Sequence, residues 1–543
     1  DNLMKNAGDD TAAYRRWLGR HRARPSELKA QRQAAADAPR PIPISLFLWA
    51  VDANPLALGE TVASLKRQSN PHWTLLIAAR ENTLGGHDSR IAVTDPGNAP
   101  LARWFQNSAA GVLRGLVGFL QPGDQLEPDA LFRYARAAAG TDPASLGVWY
   151  CDEDACEGTG FACPVFKSPL NVDALYSWNW VGQLTLFSRN LLAKAPVTAA
   201  TDFASWLYEQ TLFAYSAKAR FTYLPFLLFH SAKAAAPYRE DPLPASDGAC
   251  RSALERHLDQ RGLAAAVQEG PHPGTWRVRY GLPEPHPLVS IIIPSSDRLD
   301  LLEPCVRSIL EKSTYDAYEV LVVENNSTDV DTFVFYDVIA EEDPRVRVIH
   351  WPYEFNYAKI VNFGARHAKG DCLLLLNNDT TVIEPSFIEE MLGPLQRDEV
   401  GVVGAKLLFR DGLVQHAGAS VGVWDAVVHV DQFFTRERPG YLAKATLPGQ
   451  FTAVTGACQM VRADFFQQLG GYDEAFAVGF NDIDFCLRTQ QAGKLVAFTP
   501  YALLHHYEFS SRGREEGDPE KMERWKREQA LFKERWPEPF DNG

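Results

Sequence analysis

Four leucines, Leu373 to Leu376, run straight into Asn377-Asn378-Asp379-Thr380. A buried strand that ends in amides and a carboxylate delivers polar ligands to the carboxyl edge of a sheet, where open α/β sheets bind their ligands. Upstream, Val320 to Val323 run into Glu324-Asn325-Asn326-Ser327 in the same way. Downstream lie a second acidic cluster, Asn481-Asp482-Ile483-Asp484, and a histidine pair, His505-His506. Carboxylate, amide and imidazole groups in this order suit a divalent cation and a nucleotide, with a separate carboxylate as base. The expectation is an enzyme.

Elements with a β-α-β rhythm must hold these clusters. Val289 to Ile293 reads as a buried strand ending at Pro294, Leu301 to Glu311 as a helix, and Tyr318 to Val323 as the next strand. Asn356 to Lys369 reads as helix and Cys372 to Leu376 as a third strand, while Asp482 stands at the start of a helix over Ile483 to Ala492. Backbone N–H groups at such a helix start are expected to keep Asp482 ionised. The rhythm occurs earlier too: strand Ser45 to Trp49, helix Leu56 to Arg67, strand Trp73 to Ala78. Repeated β-α-β units indicate a mostly parallel sheet, here present twice. The division is a helical segment over 1–40, a first domain over 41–237, a linker over 238–286 and a second domain over 287–543. The linker is marked by Pro242, Pro244, Pro271, Pro273, Pro283 and Pro285, with a short helix Cys250 to Gln260 and a strand Thr275 to Tyr280. The tail from Pro519 to Trp536 is a charged amphipathic helix that either packs back on the second domain or stays solvated.

Ordered motifs run through the second half: Leu288 to Pro294, Val322 to Asp329, Phe355 to Ala358, Asn362 to Ala365, and Leu376 to Asp379. They continue with Val402 to Leu407, Gln415 to Gly418, Val454 to Ala457, Phe480 to Asp484, and His505-His506 ahead of Ser510 to Gly513. In these motifs the stretch from Pro287 to Trp536 resembles a family 2 glycosyltransferase of the GT-A fold, similar to enzymes of bacterial O-antigen and rhamnan assembly. The resemblance implies two tandem, Rossmann-like α/β domains. It also implies a metal-dependent inverting transfer from a nucleoside-diphosphate sugar, such as dTDP-L-rhamnose, to a glycan or lipid-linked saccharide. Pro294, Ser296, Glu324 and Asn356 would line the nucleobase pocket, and Asn378 would meet the ribose. Asp379, closing a DxD-like motif, and His505 would hold Mg2+ or Mn2+, with His506 the neighbour easily exchanged for it. Asp482 would be the base, and Gly456-Ala457 would lie where donor and acceptor meet. The chain departs from the pattern at Asn377-Asn378, at Glu324 in place of Asp, and at Ser295-Ser296.

Each assignment has a structural competitor. Asp379 fits a turn cap, Asp482 a helix N-cap, and His505 a hydrogen-bonded core residue. Asp484 is expected to pair with Arg488 one turn on, and His416 to be structural or acceptor-side. A non-catalytic glycan-binding scaffold, or a transferase acting on a protein acceptor, are the alternatives at the level of function.

The first half resembles the amino-terminal domain of tandem glycosyltransferases, through Phe119 to Asp124, Pro128 to Leu131, Tyr150 to Asp154 and Phe166 to Pro169. Its second strand ends in Ala78-Ala79-Arg80, Gln121 replaces an acidic residue, and the base position falls on Asp202 after Thr201. A scaffold domain is expected, with a second active transferase as the rival reading; Trp104, Trp149, Trp178 and Trp180 are candidates for sugar stacking.

At 543 residues the chain has room for roughly three to four domains. A net charge of -14 argues against a nucleic-acid partner. It also disfavours adsorption to an anionic membrane, although the basic run Arg15 to Arg24 leaves peripheral contact open. No apolar run reaches the ~20 residues that span a bilayer, so a cytoplasmic place, peripheral to the inner membrane face, is expected. Asp1 to Met4 carry no signal-peptide pattern and no initiator Met, which points to a segment upstream. The eight cysteines are scattered and expected to be reduced; Cys151, Cys156 and Cys163 form the only near group, with a zinc site the minor alternative.

Overall fold

The structure, a computed structural model, describes residues 11–81, 87–109, 113–142, 144–157, 160–196, 202–232, 248–423, 426–507 and 518–538. Ser510 to Gly513, Thr201, Pro242 and Pro244 lie outside the described residues. The chain divides into two compact units, Asp1–Leu263 with Val267–Arg277 and Ala264–Ala266 with Val278–Gly543.

In the first unit β1 (Ile44–Trp49), β2 (Trp73–Ala78) and β3 (Ile91–Thr94) are parallel neighbours. The remaining strands are β4 (Leu116–Leu120), β5 (Gln125–Leu126), β6 (Gly147–Glu157), β7 (Gly160–Val165), β8 (Leu186–Ser188) and β9 (Arg220–Ser231). They lie in the order β4-β8-β6-β9-β5, with β7 on β6. β4 adjoins β1, where Ile44 bridges Gly115 and Leu116 N–H donates to Pro43 O at 3.0 Å. Between the sequences of the two sheets come β10 (Ala265–Glu269) and β11 (Trp276–Tyr280), a two-stranded pair.

The second unit holds β12 (Val289–Ser295), β13 (Tyr318–Glu324), β14 (Val346–His350), β15 (Cys372–Leu376) and β16 (Thr380–Val382). It continues with β17 (Val400–Leu408), β18 (Val414–His416), β19 (Ala419–Val423) and β20 (Ala426–His429). Last come β21 (Gly449–Gln450), β22 (Cys458–Arg462) and β23 (Leu495–His506). The order is β14-β13-β12-β15-β22-β17-β23-β16, with β18 on β17, β21 on β23 and β19-β20 a separate hairpin. Read across both sheets, β3-β2-β1-β4-β8-β6-β9-β5 corresponds strand for strand. Several pairing senses agree as well: β6 with β9 and β17 with β23 are parallel, while β8 and β22 run antiparallel to both neighbours. The junction differs, since the Ile44–Gly115 bridge is antiparallel and β12 with β15 is parallel. The repeated α/β sheet expected from the rhythm is present.

The strands of the second unit read as unbroken apolar runs because both faces are covered. Ile291, Ile293, Val320 and Leu374 pack in one cluster with the helices Leu299–Lys312 and Phe387–Leu395. Ile292, Val323, Leu373 and Leu375 face the other way, into a cluster with the helices Tyr357–His367 and Asn481–Gln491.

One expectation changes here: within the segment assigned to a linker, residues 248–263 and 267–277 group with the first unit, and Ala264–Ala266 and residues 278–286 with the second. Leu254 and Leu258 of the helix Gly248–Gln260 are buried, and His257 Nε2 and Nδ1 contact Tyr176 Oη and Ser216 Oγ, each at 3.1 Å. The amino-terminal segment is helical, as expected, but not wholly at the surface. It forms helices Thr11–His21 and Pro25–Ala36, and Tyr14 and Leu18 are buried.

Candidate active site

β12 pairs with β15 only as far as Ile292↔Leu375, but continues beside β13 to Ser295↔Glu324. Pro294, which has no N–H to give to a ladder, marks the place where the two strands part. The strand order reverses between β12 and β15, the switch point at which open α/β sheets form a crevice. The polar clusters gather at that edge.

Ser295, Glu324 and His350 stand at one level across three strands. Glu324 is buried; its Oε1 accepts from Ser327 N–H at 2.5 Å and its Oε2 lies 3.0 Å from His350 Nδ1. Asn378 Nδ2 donates across the crevice to Ser295 Oγ at 3.3 Å. The inward serine is therefore Ser295; Ser296, one residue on, is exposed at the rim. Asn356 caps the helix Tyr357–His367, accepting from Lys359 N–H at 3.0 Å and donating to Glu474 O at 2.9 Å. Its amide holds the chain rather than pointing as an uncommitted group into the nucleobase region.

Asp379 is buried, and Oδ1 lies 3.2 Å from Nε2 of His506. The sequence-based choice of His505 is corrected by strand geometry. Thr380 pairs with His506 and Thr381 with His505, and neighbouring strand residues point to opposite faces. His505 Nδ1 instead bonds Phe409 O at 3.1 Å. Gln415 Oε1 accepts from His506 Nδ1 at 2.7 Å, and Asn377 Nδ2 is 3.2 Å from His506 Nε2. That pattern puts the proton on Nδ1 and a lone pair on Nε2, beside the carboxylate. Asn377 is oriented in turn by Tyr357 Oη, which donates to its Oδ1 at 2.9 Å.

Asp482 lies in the first turn of the helix Asn481–Gln491, entered through a left-handed Phe480 (φ 64°). Its Oδ2 accepts from Gly456 N–H at 2.7 Å and its Oδ1 from Ile483 N–H at 2.8 Å. A Cβ at Gly456 would stand 3.0 Å from Tyr472 Oη and 3.1 Å from Asp482 Cβ, so a larger residue there would make one of these neighbours yield. The expected lowering of the Asp482 pKa is overturned: burial raises the carboxyl above its ordinary value and outweighs the N–H groups of Gly456 and Ile483. Asp484 behaves as expected, bonded to Arg488 Nε at 2.7 Å. It also accepts from Arg535 Nη1 at 3.1 Å and Trp536 Nε1 at 3.0 Å, so the helix Pro519–Arg535 packs back. Glu528 of that helix accepts from Ala477 N–H at 3.0 Å and Gly479 N–H at 2.7 Å, fixing the loop that leads to Asp482.

Among the described residues no group of three or more His, Cys, Asp or Glu side chains is arranged to hold a metal ion. Asp379 and His506 supply two donors close enough to share one hard cation, and a diphosphate can complete its oxygen shell. That donor set fits Mg2+ or Mn2+ held jointly by protein and substrate. The eight cysteines are free thiols, and Cys151, Cys156 and Cys163 form no such cluster.

In the first unit β5 pairs with β9 through Gln125↔His230. Asp124 and His230 thus occupy the places of Asp379 and His506, a correspondence that the sequence motifs did not expose. Both are committed internally. Asp124 accepts from Gln121 N–H at 2.7 Å and Ala232 N–H at 3.0 Å. His230 lies between Asp154 Oδ1 (2.6 Å) and Glu127 Oε1 (2.8 Å), while Tyr14 Oη donates to Asp154 and Arg22 Nη2 reaches Glu127 at 2.7 Å. Asp202 caps the helix Phe203–Ser216 through Ser205 N–H at 3.0 Å. Trp104, Trp149, Trp178 and Trp180 are all buried and unavailable for sugar stacking.

The second unit thus presents an α/β crevice with a buried Asp–His pair and a separately held carboxylate. The signature of glycosyl transferase family 2 matches residues 290–470. The matched residues lie within the second unit, which carries the family 2 signature. It is 32% identical over 517 residues to an uncharacterized protein, y4gI, of Sinorhizobium fredii, covering 91% of this chain and 56% of that one. It is 33% identical over 519 residues to the O-antigen biosynthesis protein RfbC of Myxococcus xanthus, covering 92% of this chain and 40% of that one. A shorter match, 29% over 132 residues, is to an N-acetylglucosaminyl-diphospho-decaprenol L-rhamnosyltransferase of Mycobacterium tuberculosis, covering 23% and 39%. The chain spans about half the length, or less, of these relatives.

Proposed function

We propose that the second unit is a metal-dependent inverting glycosyltransferase, moving a sugar from a nucleoside diphosphate to a saccharide of a bacterial surface polysaccharide. The observation that carries this reading is the gathering of Glu324, Asn378, Asp379–His506 and Asp482 along one sheet edge, with Gly456 tying Asp482 to the turn ahead of β22. A Mg2+ or Mn2+ ion held by Asp379 and His506 would supply charge that stabilises the diphosphate leaving group. Glu324 and the β12 end frame the nucleoside, and Asn378 offers its amide to the ribose. Asp482 takes the proton of the acceptor hydroxyl as that oxygen bonds the anomeric carbon. The bond from that carbon to the diphosphate breaks with its electron pair on the leaving oxygen. A carboxyl raised by burial accepts this proton better than an ordinary one. The rhamnosyltransferase relative supports dTDP-L-rhamnose as the first donor to test. The O-antigen relative supports a surface-polysaccharide product, and the diphospho-decaprenol in the rhamnosyltransferase's name supports a lipid-linked saccharide acceptor. Among the described residues no helix is long and apolar enough to cross a membrane; exposed Arg16 and Arg20 are available for peripheral contact.

The test is nucleotide release from a panel of nucleoside-diphosphate sugars, with and without Mg2+ or Mn2+, for the wild type and Asp482→Asn. Metal-stimulated release that collapses in the variant supports the assignment. Turnover that survives the substitution removes Asp482 as base, and absence of any metal-dependent nucleotide binding favours the scaffold alternative.

A further inference from the structure

Two imidazoles that the reaction above leaves unused are linked to the turn that holds its base. His416, at the end of β18, is 1% exposed. Thr455 N–H donates to its Nε2 at 3.3 Å, and the next N–H along the chain, that of Gly456, donates to Asp482 at 2.7 Å. Two consecutive peptide groups therefore tie the imidazole and the carboxylate to one turn.

The bonding pattern fixes where the protons are. A donor aimed at Nε2 requires a lone pair there, so neutral His416 carries its proton on Nδ1. Nδ1 of His429 lies 2.8 Å from Nδ1 of His416 and must accept that proton's hydrogen bond. A neutral His429 is then left with its own proton on Nε2, the far edge of its ring. Both rings are held below their ordinary pKa. For His416 the cause is burial, then the nearby His429 and His506; for His429 it is burial, opposed by Asp482 and reinforced by His506. His429 ends β20 and keeps part of its surface open. Its hairpin is anchored by the Ala419–Ala453 backbone pair, at 2.9 and 3.1 Å, in the segment leading to Thr455.

We propose that His429 presents a neutral Nε2–H to an acceptor-sugar hydroxyl adjacent to the one that Asp482 deprotonates, with His416 as the positioning residue that sets its tautomer. The proposal rests on the transferase reading. A neutral donor suits this place for two reasons. An imidazolium beside Asp482 would lower the carboxylate's proton affinity and weaken the base. A donor on the attacking oxygen itself would draw electron density from the nucleophile, whereas one on its neighbour orients the sugar. The second reason points to saccharides with vicinal hydroxyls as acceptors.

Ring nitrogen NMR of the full chain, labelled with 15N-histidine, reads the tautomers directly. The expected spectrum at neutral pH has His416 as Nδ1–H and His429 as Nε2–H; His429 found as Nδ1–H or doubly protonated overturns the proposal. Kinetics on p-nitrophenyl glycosides, with the donor that the panel selects, give the second readout. His429→Phe is expected to raise the acceptor KM by about 10-fold or more, the loss of one buried hydrogen bond, and to move the donor KM by less. His416→Ala should act in the same direction, and His416→Gln, whose amide can accept from Thr455 and donate to His429, should restore the acceptor KM. Equal shifts in both KM values, or no rescue by Gln, also overturn it. If wild type turns over no donor at all, the transferase reading fails, while the NMR result still judges the imidazole pair.

Discussion

The two units share a strand order and differ in what fills the crevice. In the second, the turn ahead of β22 offers the Thr455 and Gly456 N–H groups to His416 and Asp482. In the first, the turn ahead of β8 closes round a buried ion pair: Lys167 Nζ is 3.0 Å from Glu153 Oε2 and 2.7 Å from Val181 O, and Gln183 N–H donates to Glu153 at 3.2 Å. His230 keeps the place of His506, but Asp154 and Glu127 hold it from both sides. Burial pulls its pKa down, and the hydrogen bonds to these two carboxylates more than offset that, leaving it raised. A polar group fully bonded within the protein is not available to a ligand. Retaining the Asp–His pair is therefore by itself no mark of activity. The Gln125↔His230 register shows that the first unit also carries a histidine at this place.

The largest expected contrast lies in the helix-start aspartates. Asp482→Asn should lower transfer by about 10²–10⁴-fold, the usual range for a lost general base. Asp202→Ala should leave nucleotide release unchanged and cost the first unit about 1 kcal/mol through its lost cap, seen as a lower urea midpoint. Loss of transfer in the Asp202 variant would break the contrast.

Next come the histidines. His506→Ala is expected to weaken metal-dependent nucleotide binding by about 10–100-fold or more, measured by calorimetry with Mn2+. His505→Ala should have little effect, because its ring bonds Phe409 O on the other face. His230→Ala should leave nucleotide affinity alone and cost about 3–5 kcal/mol, since it strands two buried carboxylates. Weaker nucleotide binding in that last variant would mean that the first unit also takes part.

A smaller effect sharpens the role of the turn. Gly456→Ala forces Tyr472 or Asp482 to yield by a few tenths of an ångström, and transfer should drop about 10-fold with the fold intact by circular dichroism. Finally, the acid limb of kcat/KM should lie above the ordinary carboxylate range. Asp482 is raised by burial, so its active, ionised form is lost as pH falls through that raised value. The stability sign is the reverse of an ordinary paired carboxylate. The folded state binds this proton more tightly than the unfolded one, so ionisation of Asp482 costs stability as pH rises through the same window. An acid limb in the usual carboxylate range would remove burial as the tuning device.

Much of the second unit was legible in the chain. Val289 to Ser295, Tyr318 to Glu324 and Cys372 to Leu376 announce themselves because strands covered on both faces are apolar throughout. The residues that follow such strands must lie at the sheet edge, which located Glu324, Asn378 and Asp379. The choice between His505 and His506 was not legible, since strand alternation makes adjacent residues opposite and only the pairing of β16 with β23 sets the phase. The same holds for Ser295 against Ser296. The helix start told correctly where Asp482 stands but gave the wrong sign for its pKa. Burial is a sum over the tertiary surroundings, and here it exceeds the local N–H contribution. The repeat, the strand ends and the residue types were thus determined by sequence, because periodicity and turn chemistry are local. Which histidine faces Asp379, which carboxylates are spent on internal partners, and how His416 and His429 meet beside Asp482 were decided only by packing, because they depend on register and burial between segments far apart in the chain.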